Sequence, residues 1–243
     1  MNAPTPARLL DLWELIPTLE PQAWALAALV VAGVEEDERS AGAQSVGSRD
    51  QALLAWRRSL FGDALLLTEP CPYCEELLEL EMDAGMLASP LPGPREDEFF
   101  LSVDGIDLRF RLPDGDDMVA AARCPGVQEA RALIATRCVL DATGPGGRPV
   151  DALSALAIDQ MSERLSLLDE PADIRLHVAC ASCTRSSDLV FDIAPILAQE
   201  LDLWAARCLS EVHALASMYG WTEHEILALS PARRSRYLAL AGA

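Results

Sequence analysis

The chain has 243 residues, 51% of them hydrophobic, enough apolar surface to bury a core as one large domain or two small ones. Its 38 acidic and 19 basic side chains give a formal net charge of -19, which argues against general binding to nucleic acid or anionic membranes, since both reward clustered cations. Every cation is an arginine, so Walker-lysine and Schiff-base chemistry are both excluded.

Seven cysteines make an odd count, and Met1 to Pro6 carries no basic region, while Asp11 and Glu14 interrupt the first apolar run. The expectation is a reducing cytoplasm without an export signal. The longest apolar run, Ala23 to Val34, is shorter than the about 20 residues a bilayer needs and reads as a buried helix with no membrane insertion.

In chain order, Thr5-Pro6 caps a short helix carrying Leu9, Leu10, Leu12, Trp13 and Leu15, and a second helix follows Pro21 and ends near Gly33. Glu35 to Gly47 lacks apolar periodicity and reads as a surface loop. Ser48-Arg49-Asp50-Gln51 fits a capping box opening a helix with Leu53, Leu54, Trp56, Leu60 and Phe61, which Gly62 ends. The period then becomes that of strands. Leu65 to Leu67 runs into Cys71-Pro72-Tyr73-Cys74, and Leu78, Leu80 and Met82 alternate with Glu79, Glu81 and Asp83 after it.

After a proline-rich loop, Ser89 to Pro94, the alternating residues Phe99 to Val103 and Ile106 to Leu112 flank Asp104-Gly105, a pair suited to a two-residue hairpin turn. Arg109 and Arg111 fall on its opposite face, where they are either solvated or meet an acidic partner. Helices are expected from Asp116-Asp117 through Ala122, from Val127 to Val139, and from Val150 to Leu168, the last two separated by a Gly144 to Gly147 loop. That loop lacks the Lys-Ser/Thr of a phosphate-binding loop.

Ile174, Leu176 and Val178 form a strand entering Cys180-Ala181-Ser182-Cys183, and Leu189, Phe191 and Ile193 one leaving it. The rest is helical: Leu197 to Tyr219 at intervals of three and four, a Gly220 stop, a Thr222-Glu223-His224-Glu225 capping box, and a final helix from Ser230-Pro231. Arg233, Arg234 and Arg236 cluster on that helix beside Tyr237. They either cap the helix dipole and pair with nearby carboxylates or, with Trp221, form a docking patch for an acidic partner.

The two Cys-x-x-Cys turns carry the most specific chemistry. Two such turns match a tetrahedral four-thiolate zinc site, with Cys71, Cys74, Cys180 and Cys183 as ligands of a structural Zn2+. Two alternatives stay open. Cys-Pro-Tyr-Cys is also the tetrapeptide of glutaredoxin-like thiol oxidoreductases, although Glu75 and Glu76 oppose a thiolate there, and the cysteines could be unrelated buried residues. His177 is a possible substitute ligand or neighbour of the site; Cys124, Cys138 and Cys208 lack ligand spacing and read as core residues.

The expected fold class is α+β: a small antiparallel β module with a four-cysteine, zinc-ribbon-like site, surrounded by N-terminal, inserted and C-terminal helices. The boundaries are an N-terminal helical region (1–62), two parts of the β module (63–113 and 170–193), a helical insertion (114–169) and a C-terminal helical region (194–243).

The run from Val212 to Trp221, continuing through Glu225-Ile226-Leu227, Arg233-Arg234 and Tyr237-Leu238, resembles the C-terminal motif of the T4-family baseplate hub assembly chaperones of contractile phages and phage-tail-like injection systems. Similarity to the bacterial members extends upstream through Arg49-Asp50-Gln51-Ala52-Leu53, Phe61-Gly62, the first cysteine turn with Leu78 to Glu81, Arg109 to Pro113, and the second cysteine turn. The chain departs at Glu75 and Thr184, where glycine is usual, and at Ala181, where proline is usual.

What the resemblance implies is a non-enzymatic chaperone or adaptor that binds baseplate, hub or spike proteins. A structural baseplate subunit retained in the particle is the related alternative. No Ser/His/Asp set or other recognisable catalytic motif accompanies the cysteines.

Overall fold

The computed structural model describes residues 4–88 and 98–241, so the expected proline-rich loop lies outside the described residues. Helix α1 (Pro6–Glu14) starts where the Thr5 side chain accepts the Arg8 amide and Pro6 fills a position that needs no amide. It buries Leu9, Leu10 and Leu12. Helix α2 (Pro21–Val31) is buried continuously from Trp24 to Leu29, which makes it the centre of the main core.

The Glu35 to Gly47 segment is not a plain loop. It holds a short helix, α3 (Glu38–Gly42), because Asp37 and Ser40 cap each other through their side chains, at 2.8 and 3.3 Å. Helix α4 (Val46–Phe61) likewise starts before the expected Ser48, with Ser45 accepting the Ser48 amide. The early start brings the Gly47 amide to 2.9 Å from the Asp169 carboxylate, and any Cβ at Gly47 would sit 2.2 Å from that carboxylate. Gly62 ends α4 at φ 86°.

Strands β1 (Ala64–Pro70) and β2 (Leu77–Asp83) pair antiparallel, from Ala64 opposite Asp83 to Pro70 opposite Leu77. Strands β3 (Phe99–Val103) and β4 (Ile106–Phe110) form the expected hairpin, with Asp104 and Gly105 at φ 53° and 75°, as a type I′ turn requires. Their sheet membership differs from expectation. They join β5 (Val139–Gly144) and β6 (Arg148–Pro149) in a four-stranded sheet ordered β3-β4-β5-β6.

Helices α6 (Val127–Cys138) and α7 (Ala155–Leu168) belong to the same region, whose core is Val103, Leu108, Phe110, Ala135, Cys138, Ala157 and Met161, while α5 (Gly115–Ala121) lies beside α6 and packs Val119 against the main core. Residues 63–113 therefore do not act as one half of a single β module. The 99–110 hairpin covers its apolar face with α6 and α7 and leaves the cysteine hairpins to pack elsewhere. Two helix boundaries also shift. Val139 turns extended and starts β5, and α7 begins at Ala155, capped by Ser154, because the Val150 amide bonds to the Ala142 carbonyl beside the sheet.

Strands β7 (Arg175–Ala179) and β8 (Ser186–Val190) form the second cysteine hairpin. Ile193, expected on a strand, instead opens α8 (Ile193–Tyr219), capped by Asp192 at 3.0 Å. Its 27 residues supply Ile193, Ala194, Leu197 and Leu201 to the main core, and Ala205, Cys208, Val212 and Leu215 to a C-terminal core shared with α9 (Glu223–Leu227) and α10 (Pro231–Ala241). The Thr222–Glu225 capping box is present, and Gly220 stops α8 in the left-handed conformation. The architecture is thus α+β, with small antiparallel sheets flanked by helices.

Two ion clusters tie this arrangement together. Arg57, 1% exposed, grips both carboxylate oxygens of Glu200 on α8 and the carbonyls of Gly62 and Ala64, so one guanidinium joins α4, the start of β1 and α8. Asp117, fully buried, accepts from Arg111 at 2.6 and 3.2 Å, from Arg137 at 2.6 Å and from the Asp114 amide at 3.1 Å. Arg111 is therefore not a solvated strand residue, and Arg109 also pairs, with Glu98 at 2.9 Å.

Burial alone would raise the Asp117 pKa, but the hydrogen bonds from Arg111 and Arg137 outweigh it and hold the carboxyl below its ordinary 3.8. Because the folded value is depressed, this contribution is fully present above the unfolded value and lost as pH falls through the folded one. Asp117→Asn should cost about 3 kcal/mol at neutral pH, the scale for stripping one partner from a buried ion pair. It should also flatten the acid limb of a stability-versus-pH curve measured by urea unfolding.

Candidate metal centre

Each cysteine pair occupies the turn of an antiparallel hairpin, and the two turns repeat the same hydrogen-bond pattern. The Cys71 amide donates to the Glu76 carbonyl at 2.8 Å and the Glu75 amide to the Cys71 carbonyl at 2.9 Å. In the second turn the Cys180 amide donates to Arg185 and the Thr184 amide to Cys180, both at 2.9 Å. The residue after each pair is left-handed, Glu75 at φ 62° and Thr184 at φ 59°. A side chain in that conformation costs roughly 1–2 kcal/mol, so the turns are held against strain.

The turns bring all four sulfurs within 4.8 Å of one another. Cys71 and Cys183 lie 3.8 Å apart and Cys74 and Cys180 3.7 Å apart, each contact crossing between hairpins. A tetrahedral ion with metal–sulfur bonds of about 2.3 Å spaces its ligands about 3.8 Å apart, whereas a disulfide needs about 2.05 Å. The four-cysteine cluster could therefore hold one metal ion, and the expected ligands are the ones brought together.

Cys71 and Cys180 are buried, Cys183 is half-buried and Cys74 is exposed, so the cluster has an inner and an outer side. On the outer side the Arg185 guanidinium lies 5.1 Å from the centre of the Tyr73 ring, a contact between the two turns that sequence spacing does not reveal. The hairpins belong to separate two-stranded sheets; Leu78, Val178 and Leu189 pack around the sulfurs, and farther from the turns Leu65, Leu67, Leu80 and Leu176 join the main core.

Electrostatics sharpen the case for a cation. The Tyr73 amide, joined by the Cys74 amide and neighbouring thiols, lowers the Cys71 pKa to about 7. At Cys74 the Glu76 amide draws the value down, but desolvation and hydrogen bonds with Cys71, Cys183 and Cys180 prevail and push it up to about 12. One negative charge among the sulfurs thus opposes the next. A divalent cation removes that conflict and displaces the thiol protons.

Other expected candidates fall elsewhere. His177 pairs across the hairpin with Asp188 at 2.8 Å and stands outside the sulfur cluster. Cys138 and Cys208 are buried as expected, whereas Cys124 is only half-buried. In the C-terminal region Trp221 and Tyr237 belong to a ring cluster, with Tyr219 stacked on Trp221 at 4.7 Å. Arg233 and Arg236 are exposed, but Arg234 is 3% exposed, bonded to Glu211 and to the Leu229 carbonyl, and is a packing residue.

No family model, curated protein or solved structure matches the chain. Among the described residues no helix is long and apolar enough to cross a membrane.

One bound ion per chain is expected in the intact protein. Cys74→Ser and Cys180→Ser, one change in each turn, should each abolish stoichiometric binding in a competition titration with a chromophoric chelator. For the unsubstituted chain the apparent affinity should fall steadily from neutral pH to about 5, because protons compete for the sulfurs.

Proposed function

We propose that the four cysteines hold a structural Zn2+ and that the protein is a cytoplasmic, non-enzymatic assembly chaperone or adaptor for the baseplate hub of a contractile injection system or phage-like tail. The observation that carries the metal assignment is the convergence of four sulfurs within 4.8 Å of one another, with the two cross-hairpin contacts at 3.8 and 3.7 Å, from two hairpins more than a hundred residues apart. Four thiolates fill the shell of Zn2+ and leave no position for water or substrate, which suits a clamp. Binding free energies of about 10–16 kcal/mol for structural zinc rival the about 5–15 kcal/mol stability of a whole domain.

The assembly role is supported by the resemblance, whose motifs keep their order from Arg49 to Leu238. The glutaredoxin-like reading of Cys71 and Cys74 is disfavoured by their setting. They lie between two strands, without the helix N-terminus that lowers a redox thiol, and each has a sulfur of the second hairpin beside it, Cys183 at 3.8 Å from Cys71 and Cys180 at 3.7 Å from Cys74.

In cells that build such particles, deleting the gene should stop baseplate assembly, and the tagged protein should capture hub or spike components while being absent from purified particles. Retention in the finished particle would make it a structural subunit. Failure to capture any baseplate, hub or spike protein would overturn the assembly role. A thiol-exchange activity lost in Cys71→Ser and kept in Cys180→Ser would restore the oxidoreductase reading.

A further inference from the structure

Helix α10 directs its arginines two ways. Arg234 turns inward to Glu211 and the Leu229 carbonyl, whereas Arg233 and Arg236 are exposed and their guanidinium groups have no carboxylate partner among the described residues. Positions 233, 236, 237 and 240 follow the i, i+3, i+4, i+7 spacing of one helix face. That face therefore combines two unpaired cations, the Tyr237 ring and Leu240, which is 56% exposed.

The aromatic part of this stripe is already ordered. Tyr237 meets Trp221 edge-on at 4.9 Å and Tyr219 edge-on at 5.7 Å, and the Tyr219 hydroxyl donates to the Tyr237 carbonyl at 3.2 Å. Rings fixed before contact lose little entropy on binding, and arginines beside aromatics are the side chains that dominate interface energetics. Charge then selects the partner. Residues 226–243 contain three arginines and no acidic side chain, in a chain of net charge -19; with Arg234 held by Glu211, the exposed charge of α10 is that of Arg233 and Arg236, and the nearest acids before it in the sequence are Glu223 and Glu225. The stripe is a local positive feature on a negative molecule, which attracts an acidic protein segment, while a long polyanion such as nucleic acid would be repelled by the rest of the surface.

We propose that this stripe is the docking surface for an acidic, amphipathic segment of a partner protein. Its carboxylates pair with Arg233 and Arg236, and its apolar side chains lie against Tyr237, Trp221 and Leu240. The proposal rests on the assembly-factor reading and supplies the chemistry of the partner.

The test is fluorescence anisotropy of the full chain with a labelled helical peptide of glutamate and leucine, beside matched peptides with glutamine or arginine in place of glutamate. The acidic peptide should bind, the other two should not, and added salt should weaken the complex. Arg233→Glu with Arg236→Glu should reduce affinity at least about tenfold with no change in thermal unfolding, since both side chains are exposed. Arg148→Glu with Arg164→Glu, the same charge change at exposed positions elsewhere, should leave binding intact.

Equal losses in the two double variants, no loss in the first, or equal binding of the glutamine peptide would overturn the proposal. So would tighter binding of a single-stranded oligonucleotide or anionic vesicles. The two readings separate cleanly. If the Arg233/Arg236 variant still captures hub components, the stripe is wrong and the assembly role stands. If the peptide behaves as expected but the unsubstituted chain captures no hub component, the stripe stands and the assembly role falls.

Discussion

The convergence of Cys71 and Cys74 with Cys180 and Cys183 is the constraint on which the middle of the molecule depends. The two hairpins share no strand pairing, and the apolar residues beside the sulfurs are few. What lies beyond the second hairpin makes their mutual position important. Strand β8 leads within a few residues into α8, whose first turns fill the main core with Ile193, Ala194, Leu197 and Leu201. The Arg57–Glu200 clamp ties the same two parts of the chain from the other side. Cluster and clamp together fix where α8 begins, and α8 in turn carries the C-terminal helices.

The turns are built at a local cost. Glu75 and Thr184 hold left-handed backbones that glycine would adopt freely, and while the Tyr73 amide draws the Cys71 pKa down to about 7, desolvation and the neighbouring sulfurs push that of Cys74 up to about 12. Both costs are of the kind a bound divalent cation offsets, by fixing the turns and neutralising the thiolates. The 99–168 region solves its stability differently. It has its own apolar core and a buried carboxylate, Asp117, gripped by two arginines.

Much of this was legible from residue order where a local rule suffices. The Cys-x-x-Cys spacing pointed to the four cysteines that cluster, Asp104-Gly105 to the hairpin, and Thr222 to Glu225 to a helix start, because each signal is complete within a few residues. Strand β5 escaped because Leu140 and Asp141 are exposed in succession, next to a register shift, so alternation is lost there. Helix α3 escaped because five small and polar residues have no period. Sheet membership, the Arg57–Glu200 contact across 143 residues and the inward turn of Arg234 depend on tertiary neighbours, which no sequence window contains.

X-ray absorption at the zinc K edge, on protein purified without added metal or chelator, tests the central claim most directly. The account requires a single shell of four sulfur scatterers at about 2.3 Å. A spectrum showing nitrogen or oxygen ligands in that shell, or a preparation with intact thiols and no zinc, would contradict it.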